Sequence, residues 1–482
     1  RRLKLSRSFE KEVSGEASIQ DKSFLQIEIP PKETVQQAMA RLKGMAGVMH
    51  VQPNYRYRLY ETLPDDPSFS VQWGLKNTGQ NGGQAGADIS APLAWDVTTG
   101  SSDVVVAVID TGAYYSHLDL SSNIWFNPGE TINGTDDDGN GYIDDWYGWD
   151  FLDDDNDPLD DHSHGTHVAG IIGALGNNNQ GVSGVCWDVS LMILDAFNSS
   201  GVSFSADLIE AIEYAHDMGA RIINASWGDQ YNDLLREDAI REFVDDGGLF
   251  ICAAGNDDVN NDYYTSYPAN YDIEALISVG SSTWHETVSG FSSTGKNRVH
   301  LFAPGSSIYS TIPYDSYGYK SGTSMSSPFV SGAAALLWSW NPGLSNLEVK
   351  YRLMSGGDAD PAYFGKSVSG KRLNAANIFF TDTVPPPGVN DLRWMSRDYD
   401  QVLLKYTAPG DDGNSGLASY YDLRYSKAPI PEANWDFAHR AYDEPLPAPA
   451  GSPLTVVVDR LTEGTDYYFR LRSIDTAGNR CP

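Results

Sequence analysis

The sequence is poor in cysteine, in basic residues and in long apolar runs. Three cysteines occur among 482 residues, and Cys186 and Cys252 lie in apolar stretches, which indicates buried thiols and excludes a disulfide framework. No apolar run reaches the roughly 18 residues that a membrane-spanning helix needs, so no membrane span is expected. With 65 acidic and 33 basic residues the net charge is −32, which disfavours nucleic acid as a partner.

The charge is unevenly distributed along the chain. The length predicts roughly two to four domains. Residues 1–60 contain 11 Lys and Arg against 6 Asp and Glu, whereas the remainder is strongly acidic, so this first segment is a separate module. Its pattern predicts a strand at 24–29, a helix with apolar Val35, Ala38, Met39 and Leu42, and a strand at 48–51. We therefore expect a small α+β domain over residues 1–60.

Apolar runs alternate with helical patterns through the middle of the chain. Continuous β-branched strands separated by helices are typical of a parallel sheet covered on both faces. We assign an α/β domain with a three-layer arrangement to residues 61–383, in which the apolar runs are 104–109, 191–194, 221–224, 249–252 and 276–279.

A proline-rich boundary separates the last region. Val384 is followed by Pro-Pro-Pro-Gly, a stiff sequence that helices and central strands avoid. Short alternating strands follow, bounded by Gly, Asp and Pro turns. They predict a β-sandwich over residues 384–482, with strands near 401–406, 420–425, 455–458 and 467–472.

Four polar residues lie where strands end or helices begin. Asp110 ends an apolar strand in Ile-Asp-Thr-Gly, and Asn256 follows another in Ala-Ala-Gly-Asn. His164 begins a helical pattern in His-Gly-Thr-His-Val-Ala-Gly, and Ser324 begins one in Gly-Thr-Ser-Met-Ser-Ser-Pro. Amide hydrolysis needs a nucleophile, a base, a carboxylate that orients the base, and a donor to the oxyanion. These four residues supply one of each.

These motifs, in the order Asp, His, Ser, resemble the subtilisin-like serine proteases (subtilases) over residues 62–380. The resemblance implies that Ser324 is the nucleophile, His164 the general base, Asp110 its orienting carboxylate and Asn256 an oxyanion donor. His167, one helical turn after His164, is expected to be structural. The resemblance also implies a substrate cleft between two segments that pair with an extended peptide. The residues of these segments are Ser226, Trp227, Gly228, Ser200, Gly201 and Phe204.

An aspartate-rich stretch follows the first catalytic segment. Residues 136–144 place oxygen side chains at alternate positions with glycine sixth, like the start of an EF-hand loop. Because Tyr147 occupies position twelve, where such loops have glutamate, Asp144 or Asp145 must complete the shell. Oxygen ligands without His or Cys favour Ca²⁺. The candidate ligands are Asp136, Asp138, Asn140, the Tyr142 carbonyl, Asp144 and Asp145.

Two further loops resemble the calcium sites of thermitase-like subtilases, which implies two to three Ca²⁺ ions in all. The first resemblance implies the ligands Asp150, Asp153, Asp155, Asp157 and Leu159, the last two through carbonyls. The second implies Asp66 and Asp119 with the loop 175–182, through Leu175, Asn177, Gln180 and Val182. Sites of this kind fill where calcium is millimolar, so an extracellular location is expected, with any signal peptide lying outside the given sequence.

The flanking regions resemble accessory domains of known type. Residues 1–60 resemble the subtilase prodomain, which implies an intramolecular inhibitor and folding chaperone removed by cleavage between Tyr60 and Glu61. Leu461, Tyr467 and the strand after them resemble a fibronectin type III sandwich. We expect a monomeric endopeptidase of broad specificity that forms an acyl-enzyme with protein and peptide substrates. The alternatives are an inactive subtilase fold that serves as a binding or adhesion protein, and a processing protease for dibasic sites, for which no acidic pocket is evident.

Overall fold

A computed structural model of the protein describes residues 2–5, 25–28, 34–43, 45, 48, 51–53, 61–379, 384–411, 418, 420–435, 437–441, 444–445, 447–475 and 479–481. The chain divides into two units, Arg1–Tyr60 and Glu61–Pro482. Each is described by itself.

The first unit contains three short antiparallel strands and one helix. The order in the sheet is β2-β1-β3, and the elements are β1 (Arg2–Leu5), β2 (Leu25–Glu28), α1 (Val35–Lys43) and β3 (Gln52–Pro53). The helix and β2 agree with the sequence prediction, whereas β1 was not anticipated.

Of the third strand predicted at 48–51, residues 49 and 50 lie outside the described residues, Val48 and Val51 are not in a strand, and β3 is Gln52–Pro53. Val51 is buried with Ala38 and Leu42 of α1, and Val48 packs against the same cluster. The chain forms two turns after the helix, in which the Met45 N–H donates to the Leu42 carbonyl and the Val48 N–H donates to the Met45 carbonyl. The two valines therefore cover the helix, and their apolar character does not mark a strand.

The second unit is built on a nine-stranded sheet in the order β13-β14-β10-β9-β8-β7-β4-β6-β5. All neighbouring strands are parallel except the pair β13 and β14 at one edge. This confirms the predicted parallel sheet. The strands are β4 (Gly100–Asp110), β5 (Gly148–Asp150), β6 (Asp188–Asp195), β7 (Ile222–Ala225), β8 (Leu249–Ala253), β9 (Leu276–Ser282), β10 (Leu301–Pro304), β13 (Asp358–Ala359) and β14 (Lys371–Arg372).

Helices cover this sheet, and a hairpin lies before the longest of them. That helix, α6, packs on β4 and on β7 to β10, while α4 and α5 pack against each other. The helices are α2 (Ala91–Trp95), α3 (His164–Gly173), α4 (Ser205–Asp217), α5 (Leu234–Asp245), α6 (Thr323–Trp340) and α7 (Asn346–Ser355), and the hairpin strands are β11 (Ile308–Ile312) and β12 (Ser316–Lys320). No helix in the described residues is long and apolar enough to cross a membrane.

Two three-stranded antiparallel sheets form the C-terminal region, in the orders β15-β16-β19 and β18-β17-β20. Leu404 and Val456 of one sheet share a buried core with Tyr421, Leu423 and Leu471 of the other. The strands are β15 (Arg393–Arg397), β16 (Val402–Thr407), β17 (Tyr420–Ser426), β18 (His439–Arg440), β19 (Pro453–Val458) and β20 (Tyr468–Ile474). The four anticipated strands are present, and β15 and β18 are additional.

The C-terminal sheets contact the parallel-sheet region beside α7. Arg480 forms an ion pair with Glu274 at 2.7 Å, and the rings of Tyr351 and Tyr420 stack with their centroids 6.2 Å apart. A polar cleft of about 810 Å³ lies between the two regions, and Lys350 of α7 is among the residues that line it.

Lys350 is 5% exposed and fully hydrogen-bonded. Its Nζ lies 2.7 and 2.8 Å from the carbonyl oxygens of Glu274 and Leu276 and 3.1 Å from Nε2 of His300. Nδ1 of His300 accepts the backbone N–H of Ser278 at 2.9 Å. Because that N–H can only donate, the proton of the neutral ring is on Nε2, and Lys350 accepts it as an uncharged amine.

Candidate active site

Asp110 and His164 meet where β4 ends and α3 begins. The Asp110 carboxylate is buried, and its Oδ1 accepts a hydrogen bond from Nδ1 of His164 at 2.6 Å and another from the Thr111 backbone N–H at 2.9 Å. A carboxylate only accepts, so Nδ1 carries a proton and Nε2 of the neutral ring has a free lone pair. The pair therefore presents an oriented imidazole base.

Glycine allows these two segments to approach so closely. A Cβ on Gly165, the residue after His164, would lie 2.0 Å from the carbonyl oxygen of Gly112. Gly112 itself has φ +68°, and a Cβ there would lie 2.4 Å from the Pro158 carbonyl oxygen. Side chains at either position would push the helix away from the end of β4. The glycines of both motifs thus set the distance between Asp110 and His164.

Opposing effects determine the pKa of His164. Burial lowers it, whereas the charge of Asp110 and its hydrogen bond raise it; the Lys320 charge lowers it and that of Asp160 raises it. The net result is a pKa above the ordinary value of 6.5. Because the base must be neutral to accept a proton, activity should rise with pH through and beyond the ordinary histidine range.

His167 has different surroundings from His164. It is completely buried, and its Nε2 lies 3.0 Å from the carbonyl oxygen of Ile308 and 3.2 Å from that of Gly318. Burial lowers the pKa of His167 to about 3, so the ring is neutral and Nε2 donates. This histidine fastens α3 to the β11–β12 hairpin.

Ser324 lies in the first turn of α6, next to the helix that carries His164. The hydroxyl of Ser226, which is 3% exposed, donates to the Ser324 carbonyl at 2.9 Å and lies 2.9 Å from the Ser327 hydroxyl. Within the described chain no hydrogen bond joins Ser324 to His164, and such bonds commonly tighten only with substrate. The Ser226 side chain thus anchors the serine segment.

Asn256 and the backbone of Ser324 direct two donors at one point. The Asn256 Oδ1 accepts the backbone N–H of Thr323 at 2.8 Å and the Thr323 hydroxyl at 3.0 Å. The amide NH₂ is therefore on the opposite side. A Cβ on Gly322 would lie 3.5 Å from Nδ2 of Asn256 and 3.6 Å from the Ser324 nitrogen. Glycine keeps this space open, and an oxyanion there could accept from both donors.

Replacing Asn256 by alanine should lower kcat by about a hundred- to a thousandfold with little change in KM. The reason is that the donor is used only when negative charge develops in the transition state. Steady-state kinetics on a peptide substrate measures both constants. Thr323→Val is the matched control, since it keeps the backbone N–H to Asn256 and should lose far less activity. A change confined to KM would contradict the role of Asn256.

A cleft of about 530 Å³ opens beside Ser324 and Asn256. Its lining combines small residues, Trp227 and two exposed tyrosines with two carboxylates, and it includes Ser226, Trp227, Gly228, Asp229, Tyr231, Ala253, Gly255, Asp257, Tyr264 and Ser266. The Trp227 indole N–H donates to the Ile109 carbonyl at 3.0 Å, and its ring packs against the main core. Trp227 therefore has both a packing role and a place in the cleft wall.

The other predicted substrate segment lies near the start of α3. Phe204, just before α4, is 63% exposed, and Ser200 and Gly201 are exposed as well. A Cβ on Gly201 would lie 3.7 Å from Nε2 of His162. This loop is thus adjacent to the residue two positions before the candidate base.

The first acidic loop differs from the predicted ligand set. Glu130, Asp136 and Asp138 bring one carboxylate oxygen each within 4.8 Å of one another. Asp144 accepts instead from the backbone N–H groups of Asn133 and Gly134. Asp145 accepts from Asn127, Asn140 and Tyr214. Glu130, which precedes the loop and was not anticipated, adds a carboxylate to this cluster and also accepts from the backbone N–H groups of Asp137, Asp138 and Asp144. An all-oxygen cluster of this kind is compatible with Ca²⁺.

The second acidic loop is held by its own backbone. Asp150 accepts from the N–H groups of Leu152 and Asp153 at 2.8 and 3.0 Å, and Asp155 accepts from the Asp157 N–H at 2.9 Å. The Asp157 carbonyl accepts from the Leu159 N–H at 2.7 Å. Burial, with the charges of Asp153 and Asp155 in support, raises the pKa of Asp150. A cation would relieve this repulsion.

The third loop joins two buried carboxylates. Asp66 accepts from the backbone N–H groups of Asn177 and Asn178, at 2.8 and 3.2 Å. Asp119 accepts from the Val182 N–H at 2.9 Å and the Asn178 side chain at 2.9 Å. Leu175 donates to the Asp119 carbonyl, and Gln180 to the Asn178 side chain. Burial raises the pKa of Asp66, and the nearby Asp119 adds to this. The buried carboxylates of Asp66 and Asp119, beside the backbone carbonyls of the loop 175–182, are the oxygen ligands that a hard cation prefers.

At this site a histidine that is hydrogen-bonded to a buried aspartate lies near a helix-terminal serine and an asparagine amide, the residue types that amide hydrolysis through a serine needs. Residues 101–369 match the sequence profile of the Subtilase family, peptidase S8. The chain belongs to this family of subtilisin-like serine endopeptidases.

Particular relatives agree with this assignment. Thermitase from Thermoactinomyces vulgaris is 34% identical over 59% of this chain and 88% of its own length. A halolysin-like extracellular serine protease, Nep, from Natrialba magadii is 36% identical over 61% and 49%. The structure of a protease from Pseudoalteromonas arctica PAMC 21717 aligns with a TM-score of 0.53 and 28% identity, over 66% of this chain and 98% of that one. This chain covers only 33 to 66% of the length of three relatives, Nep among them.

Proposed function

We propose that the protein is a secreted, calcium-stabilised endopeptidase that cleaves extended peptides through Asp110, His164 and Ser324. The observation that supports this most directly is the 2.6 Å hydrogen bond from His164 to buried Asp110. It leaves Nε2 available near the helix terminus that carries Ser324, with the Asn256 amide at the same cleft. A binding protein would have no need to keep this arrangement.

The geometry supports acyl transfer in two halves. As Ser324 Oγ bonds to the peptide carbonyl carbon, its proton passes to Nε2 of His164, and the oxyanion accepts from Asn256 and the Ser324 N–H. The C–N bond then breaks and His164 gives that proton to the leaving nitrogen. A water molecule loses a proton to His164 and attacks the ester carbon. The bond from that carbon to Ser324 Oγ then breaks, His164 returns the proton to Oγ, and the carboxyl product leaves. Asp110 orients the ring and stabilises the imidazolium each time it forms.

The substrate is an extended peptide with few side-chain requirements. The segment Ser226 to Gly228 and the loop at Ser200 and Gly201 are the two walls of the cleft in this proposal. Main-chain pairing with such walls gives affinity without strong selectivity. The 530 Å³ volume and exposed Tyr231 and Tyr264 suit large apolar side chains beside the scissile bond.

Cleavage of a mixed peptide library, read by mass spectrometry, tests this function. We expect cuts within chains, with large apolar residues preferred before the cleaved bond. Labelling by a fluorophosphonate should attach to Ser324. If the folded protein neither cleaves the peptides nor becomes labelled, the proposal is contradicted and the inactive binding protein is favoured instead.

Calcium ions at the three acidic loops should stabilise the native chain. The ligands in this proposal are Glu130 with Asp136, Asp138, Asn140 and the Tyr142 carbonyl; Asp150, Asp153 and Asp155 with the carbonyls of Asp157 and Leu159; and Asp66 and Asp119 with the loop 175–182. A cation bound only by the folded state stabilises it by mass action.

Removing calcium with EDTA should therefore lower the melting temperature, and returning calcium should restore it whereas magnesium should not. The effect has two sources, the lost binding energy and the repulsion among carboxylates that remain close. Scanning calorimetry of the whole chain measures it. Glu130→Gln should reduce the calcium-dependent part, while Glu348→Gln, at the start of α7, should not. An unchanged melting temperature after long incubation in excess EDTA would count against all three sites.

The flanking regions have separate roles in this proposal. Residues 1–60 are a basic prodomain that inhibits the acidic catalytic region until cleavage between Tyr60 and Glu61. The C-terminal sheets are a fibronectin type III-like domain, and the Tyr467 hydroxyl accepts from the Thr462 N–H at 3.1 Å, as a corner tyrosine would. The extracellular name of the Nep relative supports secretion.

A further inference from the structure

Arg236 of α5 is a buried cation whose donors are directed at the cleft wall. Its side chain is 2% exposed, and NH1 lies 2.7 Å from Oδ2 of Asp229. NH2 donates to the Tyr231 carbonyl at 3.2 Å and lies 3.4 Å from Oδ1 of Asp229. Nε lies 3.3 Å from the Tyr271 hydroxyl. Most of the guanidinium's bonds thus go to the segment that follows Trp227 and Gly228.

The stretch 226–231 is attached at three further points. Asp229 and Tyr267 exchange two backbone hydrogen bonds, of 2.9 and 2.6 Å. The guanidinium carbon of Arg236 lies 5.6 Å from the centre of the Trp227 ring, a distance at which cation and ring attract. At the other end, Ser226 is bonded to the Ser324 carbonyl. One buried side chain therefore contacts the wall at Trp227, Asp229 and Tyr231.

General stability is a poor reason for this arrangement. Burying a charge costs free energy that its pairing rarely exceeds, and apolar residues of similar volume stabilise a core equally well. A guanidinium offers something that they lack, namely a rigid fork of donors that fixes the position of a carboxylate and a carbonyl. Its use here points to a need for a fixed backbone at 227–231.

We propose that Arg236 is a positioning residue for substrate binding, which holds residues 227–231 in place as one wall of the cleft. This rests on the proposed function, because that wall is the candidate partner of the extended peptide. Arg236 does not touch substrate. It acts through Asp229, Tyr231 and Trp227, so its loss should weaken the binding of long peptides and leave the reaction at Ser324 largely intact.

Arg236→Met and Arg236→Lys test the inference with substrates of two lengths. For a peptide long enough to reach the wall, KM should rise about tenfold in the methionine variant and less in the lysine variant, with kcat changed less than threefold. For a single-residue ester, kcat/KM should change less than twofold.

Arg372→Met is the matched control. Arg372 is as deeply buried as Arg236 and pairs with Glu286 at 2.8 Å. Its partners Glu286 and Asp358 are not among the residues that line the cleft, whereas Trp227, Asp229 and Tyr231, which Arg236 contacts, are. The Arg372→Met variant should have a lower melting temperature and an unchanged KM for long peptides. If it raises KM for long peptides as much as Arg236→Met does, or if folded Arg236 variants keep the native KM, the positioning role is wrong.

A binding measurement separates this inference from the proposed catalysis. In a Ser324→Ala background, titration calorimetry with an extended apolar peptide should show a dissociation constant about tenfold weaker when Arg236 is also methionine. Equal affinities would overturn the inference even if the enzyme is active. Weaker peptide binding by the double variant would support the positioning role of Arg236 even if the wild-type chain cleaves no peptide.

Discussion

Replacing Ser324 by alanine is expected to lower kcat by about a millionfold, the loss that follows when the nucleophile of such a triad is removed. The base and the oxyanion donors cannot compensate, because they act on a covalent intermediate that no longer forms. The fold should be unaffected, since Ser324 is anchored through its backbone carbonyl and not through its hydroxyl. Peptide hydrolysis and a melting curve measure the two properties. A residual kcat within a hundredfold of the wild type would rule out Ser324 as the nucleophile.

The same variant should also retain its first sixty residues. If the chain cuts itself between Tyr60 and Glu61, wild-type protein should begin at Glu61 after activation, whereas Ser324→Ala should begin upstream of Tyr60. N-terminal sequencing of both preparations provides the comparison. Wild-type protein that is fully active as one uncut chain would show that residues 1–60 are not an inhibitory prodomain.

Replacing His164 by alanine should be nearly as damaging as the loss of Ser324, because no other group can take the serine proton. His167→Ala should produce the opposite result. It deletes the one ring donor that two backbone carbonyls share and leaves a cavity in the core, so we expect a loss of about 2–4 kcal/mol of stability. At a temperature where both variants are folded, His167→Ala should keep most of its kcat. If it is stable and inactive while His164→Ala is active, the base has been misidentified.

Short-range patterns account for what could be predicted. Most of the parallel strands were recognisable because each contains a short apolar, β-branched run, as 249–252 shows. The motifs at Asp110, His164 and Ser324 were recognisable because helix and strand ends present those side chains, and glycines such as Gly165 mark the close contacts.

Contacts between distant segments explain what sequence reasoning missed. Glu130 precedes the acidic loop and does not fit the ligand spacing of an EF-hand-type loop, so only the fold shows that it lies close to Asp136 and Asp138. In the sequence Arg236 is one charge among others in a helical pattern, and only the fold shows that its guanidinium lies next to the Trp227 ring. Val48 and Val51 suggested a strand because apolar alternation does not distinguish a pleated edge from residues that cover a helix.

The uncharged state of Lys350 makes unfolding a proton-binding reaction. Burial, helped by the Arg440 charge, lowers the pKa of Lys350 to about 7 from a reference value of 10.5. Between these values the unfolded chain holds one proton more than the folded chain at this residue. The free-energy cost of burying this amine therefore decreases as pH rises from 7 to 10.5. The stability gained over this range is lost again as pH falls from 10.5 to 7, below which Lys350 is protonated in both states.

That uptake can be observed as heat. At pH 9 the unfolding enthalpy should depend on the ionisation enthalpy of the buffer, because the buffer supplies the proton that Lys350 binds. Lys350→Met should remove this part of the dependence, whereas Lys76→Met, at an exposed site, should not. The protein would thus carry, beside its C-terminal sheets, an amine whose charge reports whether that part of the chain is folded.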